Sequence, residues 1–239
     1  MNTIHIDKQQ CRMIAHRGCS GLERENTNAA FVAAGNRSYF GIETDVHVTS
    51  DGKFILFHDD TTERLTSQNF VVEQTDFETL RDLAITDIDG ATKRQDIRMP
   101  SLEEYISICK KYDKTAVLEL KNNMAEKHIR EMCHQIEEFD YLDEMIFISF
   151  DLDNLLALRR LYPNASIQYL TRKADGDVIK VLKENNFDLD IKYTALTREI
   201  IQKLHGEGIK INCWTVNDKE DAERLIAWEI DFITTNILE

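Results

Sequence analysis

The stretch Gly41–Val46 reads GIETDV. Successive side chains of a strand point to opposite faces, so Glu43 and Asp45 share one face and Ile42, Thr44 and Val46 the other. Seven further short apolar segments read as strands: Arg12–Ala15, Ala116–Lys121, Met145–Phe150, Ser166–Leu170, Leu189–Tyr193, Lys210–Val216 and Asp231–Thr235. Between them lie segments with helical periodicity: Thr27–Asn36, Ser101–Tyr112, Ala125–Phe139, Leu152–Tyr162, Gly176–Asn185, Thr197–Gly208 and Lys219–Trp228. Several open on a capping residue, namely Thr27, Ser101 with Glu104 three positions on, Asp151 and Thr197. Eight strands alternating with helices in a chain of 239 residues predict an α/β fold, a (β/α)8 TIM barrel. An open doubly wound sheet shares this alternation, but no GxGxxG and no phosphate-binding GxxxxGKS or GxxxxGKT follows the first strand.

One interval breaks the rhythm. Residues 49–98 occupy the place where a barrel needs only a loop and one helix, so they are expected to form a small subdomain inserted after strand 2 of a single domain spanning 1–239. The Ser50-Asp51-Gly52 turn and the strand Lys53–Phe57 predict a hairpin leading back to the barrel mouth. Loops that follow barrel strands gather at the C-terminal face, where such an insertion would wall an active site.

Composition narrows the function classes. A hydrophobic content of 42% with 2 Pro and 9 Gly fits an ordered globular core. With 29 basic and 43 acidic residues the net charge is −14, which disfavours nucleic acid and anionic membrane surfaces as partners. The five cysteines (Cys11, Cys19, Cys109, Cys133, Cys213) contain no CxxC pair and read as free thiols of a reducing compartment. The N-terminus has no apolar signal region and no stretch approaches ~18 apolar residues, so the expected location is cytoplasmic.

Two carboxylates on one strand face repel unless a cation or a proton sits between them. Glu119, on AVLELK, adds a third acid, sharing its face with Lys121 and Val117. Three carboxylates make an all-oxygen set suited to Mg2+ or Ca2+ rather than Zn2+. The plainer alternative for each is a surface or salt-bridged acid. Among the seven histidines, His5, His128, His134 and His205 read as ordinary surface or satisfied imidazoles, and His47, beyond the strand end, as at most a supporting residue. His16 and His58 differ, because each directly follows an apolar strand and has charged neighbours, Arg17 for the first and Asp59 and Asp60 for the second. Such a pair could act as general base and general acid. Arg17 adds a planar cation suited to phosphate or carboxylate.

The runs IAHRGCSGLERENTNAAFVAA, GIETDVHVTSDGKFILFHDDTTERLT, MPSLEEY, VLELK, FISFD and INCWTVND together resemble the glycerophosphodiester phosphodiesterase family, over Met13 to about Thr235. The resemblance implies a (β/α)8 barrel with an insertion after strand 2. It implies that His16 and His58 are the acid/base pair, that Glu43, Asp45 and Glu119 bind one divalent cation, and that Arg17 and Lys121 hold the phosphate. Phe150 and Trp214 would form an apolar wall for the glycerol carbons, with barrel packing as the alternative. The implied reaction is metal-dependent hydrolysis of a glycerophosphodiester to glycerol 3-phosphate and an alcohol, through attack by the glycerol 2-hydroxyl or by water. The implied partner is a small molecule, with no stable membrane association and a homo-oligomeric state left open.

The chain departs from the family pattern in three places. Arg24 replaces a proline before Glu25-Asn26-Thr27, Asn236 replaces an acid in the final loop and puts that loop's role in doubt, and Ser67-Gln68-Asn69-Phe70 replaces a glycine-rich run. Two other readings remain: a lipid-directed phospholipase D or C on the same barrel, and an inert barrel that binds phosphate esters. The insertion shows no apolar, Trp- or Lys-rich stripe to favour the first, and all five acids and histidines are present, against the second. A zinc amidohydrolase would need a His-x-His pair that His16-Arg17-Gly18 lacks.

Overall fold

A computed structural model describes residues 2–91 and 94–239. Its strands are β1 (Arg12–Ala15), β2 (Gly41–Val48), β3 (Phe54–Leu56), β4 (Thr115–Leu120), β5 (Met145–Ser149), β6 (Ser166–Thr171), β7 (Asp188–Lys192), β8 (Ile211–Trp214) and β9 (Phe232–Thr235). The helices are α1 (Asn28–Gly35), α2 (Phe77–Arg81), α3 (Leu102–Tyr112), α4 (Glu126–Glu137), α5 (Leu152–Leu161), α6 (Gly176–Asn185), α7 (Arg198–Gly206) and α8 (Lys219–Ala227). All strands except β3 run parallel, and β1 pairs with both β2 and β9, so the sheet closes into the eight-stranded TIM barrel the alternation predicts.

The anticipated caps are in place. Thr27, Asp151 and Thr197 accept backbone N–H bonds at the starts of α1, α5 and α7, and Ser101 and Glu104 form a reciprocal capping box on α3. Strand parity then divides the sheet. Ile42 and Val46 face outward into the main core between barrel and helices, while Ile14, Val117, Ile146, Ile148, Leu170 and Phe232 form a separate cluster inside the barrel. Above and among these lie buried polar residues: Asn212 donates to Gln168 (3.4 Å), Thr234 donates to Asn212 (3.1 Å), and Asp190 is 2% exposed.

The chain between β2 and α3 carries a third cluster of its own, built on Ile55, Phe57, Val72, Leu80, Ile85 and Met99. Its β3 pairs antiparallel with β2, with His47 opposite Ile55. This pairing prolongs β2 to Val48, so His47 lies within the strand and not beyond it. The single-turn helix α2, capped by Asp76, has too few residues to show periodicity in the sequence. All five cysteines are buried and unpaired.

Candidate active site

The loop after β1 is tightly constrained. Arg17 has φ +53°, a conformation disfavoured for a side chain with a Cβ, and Gly18 follows at φ +74°. A Cβ on Gly18 would come within 2.6 Å of the Ala30 backbone, so only glycine fits. The turn is held by Gly18 donating to the Glu43 carbonyl (3.1 Å) and Asn26 donating to the Arg17 carbonyl (3.0 Å). In this setting the Arg17 backbone N–H donates to Glu43 Oε2 at 2.8 Å, tying the β1 loop to the β2 acid. Backbone strain of this kind costs about 1–3 kcal/mol and persists where surrounding contacts enforce it.

Inward parity places Glu43 and Asp45 of β2 in the barrel, and register sets Asp45 opposite Glu119 of β4. The three are 4%, 1% and 8% exposed, and ligand atoms of all three lie within 4.8 Å of one another. Burial, with Asp45 and Glu119 beside it, pushes the Glu43 carboxyl well above its ordinary value. Burial and Asp45 likewise push Glu119 up to about 7. Asp45 goes the other way. Burial alone would raise it, but Lys121 and Arg17 outweigh that and hold it below the usual carboxylate range.

Lys121 Nζ lies 2.9 Å from Glu119 Oε1 and 3.4 Å from Asp45 Oδ1, and Arg17 Nε lies 3.5 Å from Asp45 Oδ2. Asn26 donates to Asp45 Oδ2 (2.8 Å) and accepts from Thr44 (2.7 Å). Asp45 Oδ1 is nevertheless buried without a hydrogen bond. Three converging, mutually repelling carboxylates with an unsatisfied oxygen fit a hard divalent cation.

The two histidines are held by different partners. His16 Nδ1 is 2.7 Å from Asn236 Oδ1, a contact to an amide oxygen that assigns the proton to Nδ1 and the acceptor role to Nε2, 4.0 Å from Glu43 Oε2. Burial and the adjacent Arg17 lower the His16 imidazole to about 4. His58 Nδ1 is 2.6 Å from a carboxylate, Asp59 Oδ1. Burial lowers His58 as well, with Asp45 pulling the opposite way.

Asp59 in turn accepts from Arg64 Nε (2.6 Å), Arg64 donates to both oxygens of Glu25 (2.8 and 3.0 Å), and Glu25 accepts from Arg17 (2.8 Å). A chain of alternating charge therefore runs from Arg17 to His58. Burial alone would raise Glu25, but its bonds to Arg64 and Arg17 bring it down to about 2.

His16, Arg17, Glu43, His58 and Glu119 all line one cavity of ≈ 150 Å³. Phe150 and Trp214 line it too, with rings edge to face at 5.7 Å and 87°, joined by Leu170, Arg172 and Asp190. Lys121 stays on the carboxylates, and His47 is buried against Glu73 (2.9 Å) outside the cavity. His5, His128, His134 and His205 are also outside it. The doubt about the final loop is reversed, since Asn236 is the partner of His16. Glu25, Asn26, Arg64, Arg172 and Asp190 were not singled out from the sequence.

Residues 16–239 match the profile of the glycerophosphoryl diester phosphodiesterase family. The chain belongs to that family. The Bacillus subtilis (strain 168) protein YhdW is 32% identical over 231 residues, 94% of this chain and 93% of that one. A glycerophosphodiester phosphodiesterase of Caldanaerobacter subterraneus subsp. tengcongensis is 29% identical over 231 residues, again 94% and 93%. A phosphodiesterase of Oleispira antarctica, solved in complex with its product sn-glycerol-3-phosphate, superposes with a TM-score of 0.88 at 25% identity, covering 94% of this chain and 92% of that one. The family member described by this sequence is an enzyme that hydrolyses glycerophosphodiesters. Family membership and the cluster of Glu43, Asp45 and Glu119, whose ligand atoms lie close enough to hold a metal ion, together support divalent-metal binding. Among the described residues no helix is long and apolar enough to cross a membrane.

Proposed function

We propose that the enzyme converts glycerophosphodiesters to glycerol 3-phosphate and an alcohol, with Glu43, Asp45 and Glu119 holding one divalent cation, Mg2+ or Ca2+. The observation that supports this reading is the shared cavity, where two imidazoles with Nδ1 partners meet Glu43 and Glu119, whose carboxylates cluster with that of Asp45. A bound cation supplies neutralisation of the phosphoryl charge. Arg17, pinned by Glu25 and Asp45, would present a fixed guanidinium to the phosphate, and Lys121, held on Asp45 and Glu119 beside the cavity, moderates the charge of the carboxylates and would supply a second cation near the phosphate. Phe150 and Trp214 exclude water from the glycerol carbons.

The unequal partners of the histidines support unequal roles. A carboxylate such as Asp59 stabilises an imidazolium, whereas the neutral amide oxygen of Asn236 orients the ring without adding a charge. His16 Nε2 is therefore the first proton acceptor and His58 Nε2 the donor to the departing alcohol. Either the glycerol 2-hydroxyl or water can be the group His16 deprotonates. In the first case a cyclic phosphate forms, and water opens it with the roles exchanged.

The same reading treats 1–239 as one domain with 49–98 as the wall that delivers His58. It places the enzyme in the cytoplasm, acting on small molecules and not on nucleic acid or a membrane surface, with a homo-oligomer still open. The test is to incubate the protein with glycerophosphocholine and follow glycerol 3-phosphate, with and without excess EDTA, beside His16→Ala. The expected result is loss of turnover with chelator and a drop of about 10²–10⁴-fold in the variant. Full activity in EDTA would remove the cation from the scheme, and undiminished activity of His16→Ala would remove the acid/base pair.

A further inference from the structure

The basic groups around the cavity are not equally engaged. Arg17 is bound to Glu25 and Asp45, and Lys121 to Glu119 and Asp45. Arg172, exposed on the loop that follows β6, also lines the cavity, and among the described residues it has no carboxylate within ion-pair reach. Its guanidinium carbon instead sits 4.9 Å from the centroid of the Phe150 ring, which is itself braced edge-on by Trp214. A guanidinium held over a ring face keeps its N–H donors available, and a planar fork of such donors can give two parallel bonds to a carboxylate.

Size decides which half of the substrate these donors meet. Pockets for whole drug-sized ligands run to about 300–1,000 Å³. At ≈ 150 Å³ this cavity suits a glycerophosphoryl group and little more. The esterified alcohol must then extend across the rim, where Phe150 is 38% exposed and Arg172 lies on it. The whole chain carries a net charge of −14, so a cation lining the cavity without a carboxylate partner is a local feature that would reward an anionic group there.

We infer that Arg172 is a specificity-determining residue that receives a carboxylate on the alcohol half of the substrate, so that the enzyme favours glycerophosphodiesters of carboxylate-bearing alcohols. This rests on the hydrolytic reading of the cavity given above. It separates from that reading because it concerns a ratio between two substrates, not turnover itself.

Glycerophosphoserine and glycerophosphoethanolamine differ only by the carboxylate, and their kcat/KM values are the measurement. The parent should prefer the serine diester by about tenfold, as one charge-assisted contact at a partly wet site provides. Arg172→Gln should bring the ratio to about one, chiefly through KM for the serine diester. Arg172→Glu should invert it, and Arg172→Lys, which keeps the charge without the planar fork, should keep only part of it. A parent ratio of one would overturn the inference. So would an equal loss on both diesters in Arg172→Gln, which would put the side chain on the shared phosphate. If the parent turned over neither diester, the hydrolytic reading would fall. The Kd ratio of the same pair, expected to shift by the same factor in Arg172→Gln, would then decide Arg172 alone.

Discussion

The two ends of the barrel are built from the same strands and are filled in opposite ways. At the N-terminal end, Arg12 lies over Phe40 (4.7 Å) and Phe232 (5.6 Å), whose rings are 5.9 Å apart, and an apolar layer closes above them. At the C-terminal end the inward positions include Glu43, Asp45, Glu119 and Asp190, all buried, and the side-chain atoms Asp45 Oδ1, Asp190 Oδ1 and Arg17 Nε lack hydrogen bonds. Burying a charge or an unpaired polar group is unfavourable, and burying aromatic rings is favourable. The lower end thus supplies stability that the upper end consumes in holding like charges together for chemistry.

The largest effect should come from Glu43→Gln. If Glu43 holds the cation as proposed, its loss removes several kcal/mol of transition-state stabilisation, so kcat/KM should fall by about 10³-fold or more. The same substitution removes one of three mutually repelling acids, and the glutamine oxygen can still accept from the Arg17 N–H. In excess EDTA the variant should therefore melt at a higher temperature than the parent. A variant both active and less stable in EDTA would break the contrast.

Phe232→Ala tests the other end. Phe232 is 3% exposed and carries both the Phe40 and the Arg12 contacts. Removing a buried aromatic ring typically destabilises by about 3–5 kcal/mol, with the cost rising as the cavity fails to collapse. The urea midpoint should drop accordingly, while kcat/KM, measured where the variant is folded, should stay within a few-fold of the parent. A large loss of activity at matched folded fraction would show the ends to be coupled.

How far the sequence revealed all this follows the same division. Period-two strands, caps and the His-Arg-Gly, Glu-Thr-Asp and Glu-Leu-Lys stretches are local patterns, so the barrel and the acid cluster were legible. The partners of those residues were not. Asn236 meets His16 across 220 positions, and Arg64 meets Glu25 across 39, contacts that depend on barrel closure and on how the segment after β2 folds. His47 was misplaced because the pairing that extends β2 comes from β3. Asp190 carried a signal that could have been used: in DLDIK it is an acid in the middle of a strand, at a position whose parity points into the barrel.

The smallest effect separates the ends by pH. Glu25, on the charge chain at the mouth, keeps its carboxylate down to about pH 2 in the native state because Arg64 and Arg17 bind it, whereas an unfolded glutamate takes up a proton near ~4.3. Between these values the unfolded chain holds more protons than the native one, so this stabilisation is complete above about pH 5 and declines as pH falls toward 2. After allowance for solvent screening it should amount to roughly 1–2 kcal/mol at pH 7. Glu25→Gln should therefore lower the urea midpoint at pH 7 and lower it less at pH 3.5. At the opposite end Arg12 rests on aromatic faces with no titrating partner in the described ion pairs, so Arg12→Gln should cost about 0.5–1 kcal/mol alike at both pH values. A gap for Glu25→Gln that does not narrow with acid would mean that Glu25 supports the mouth by packing and not by charge.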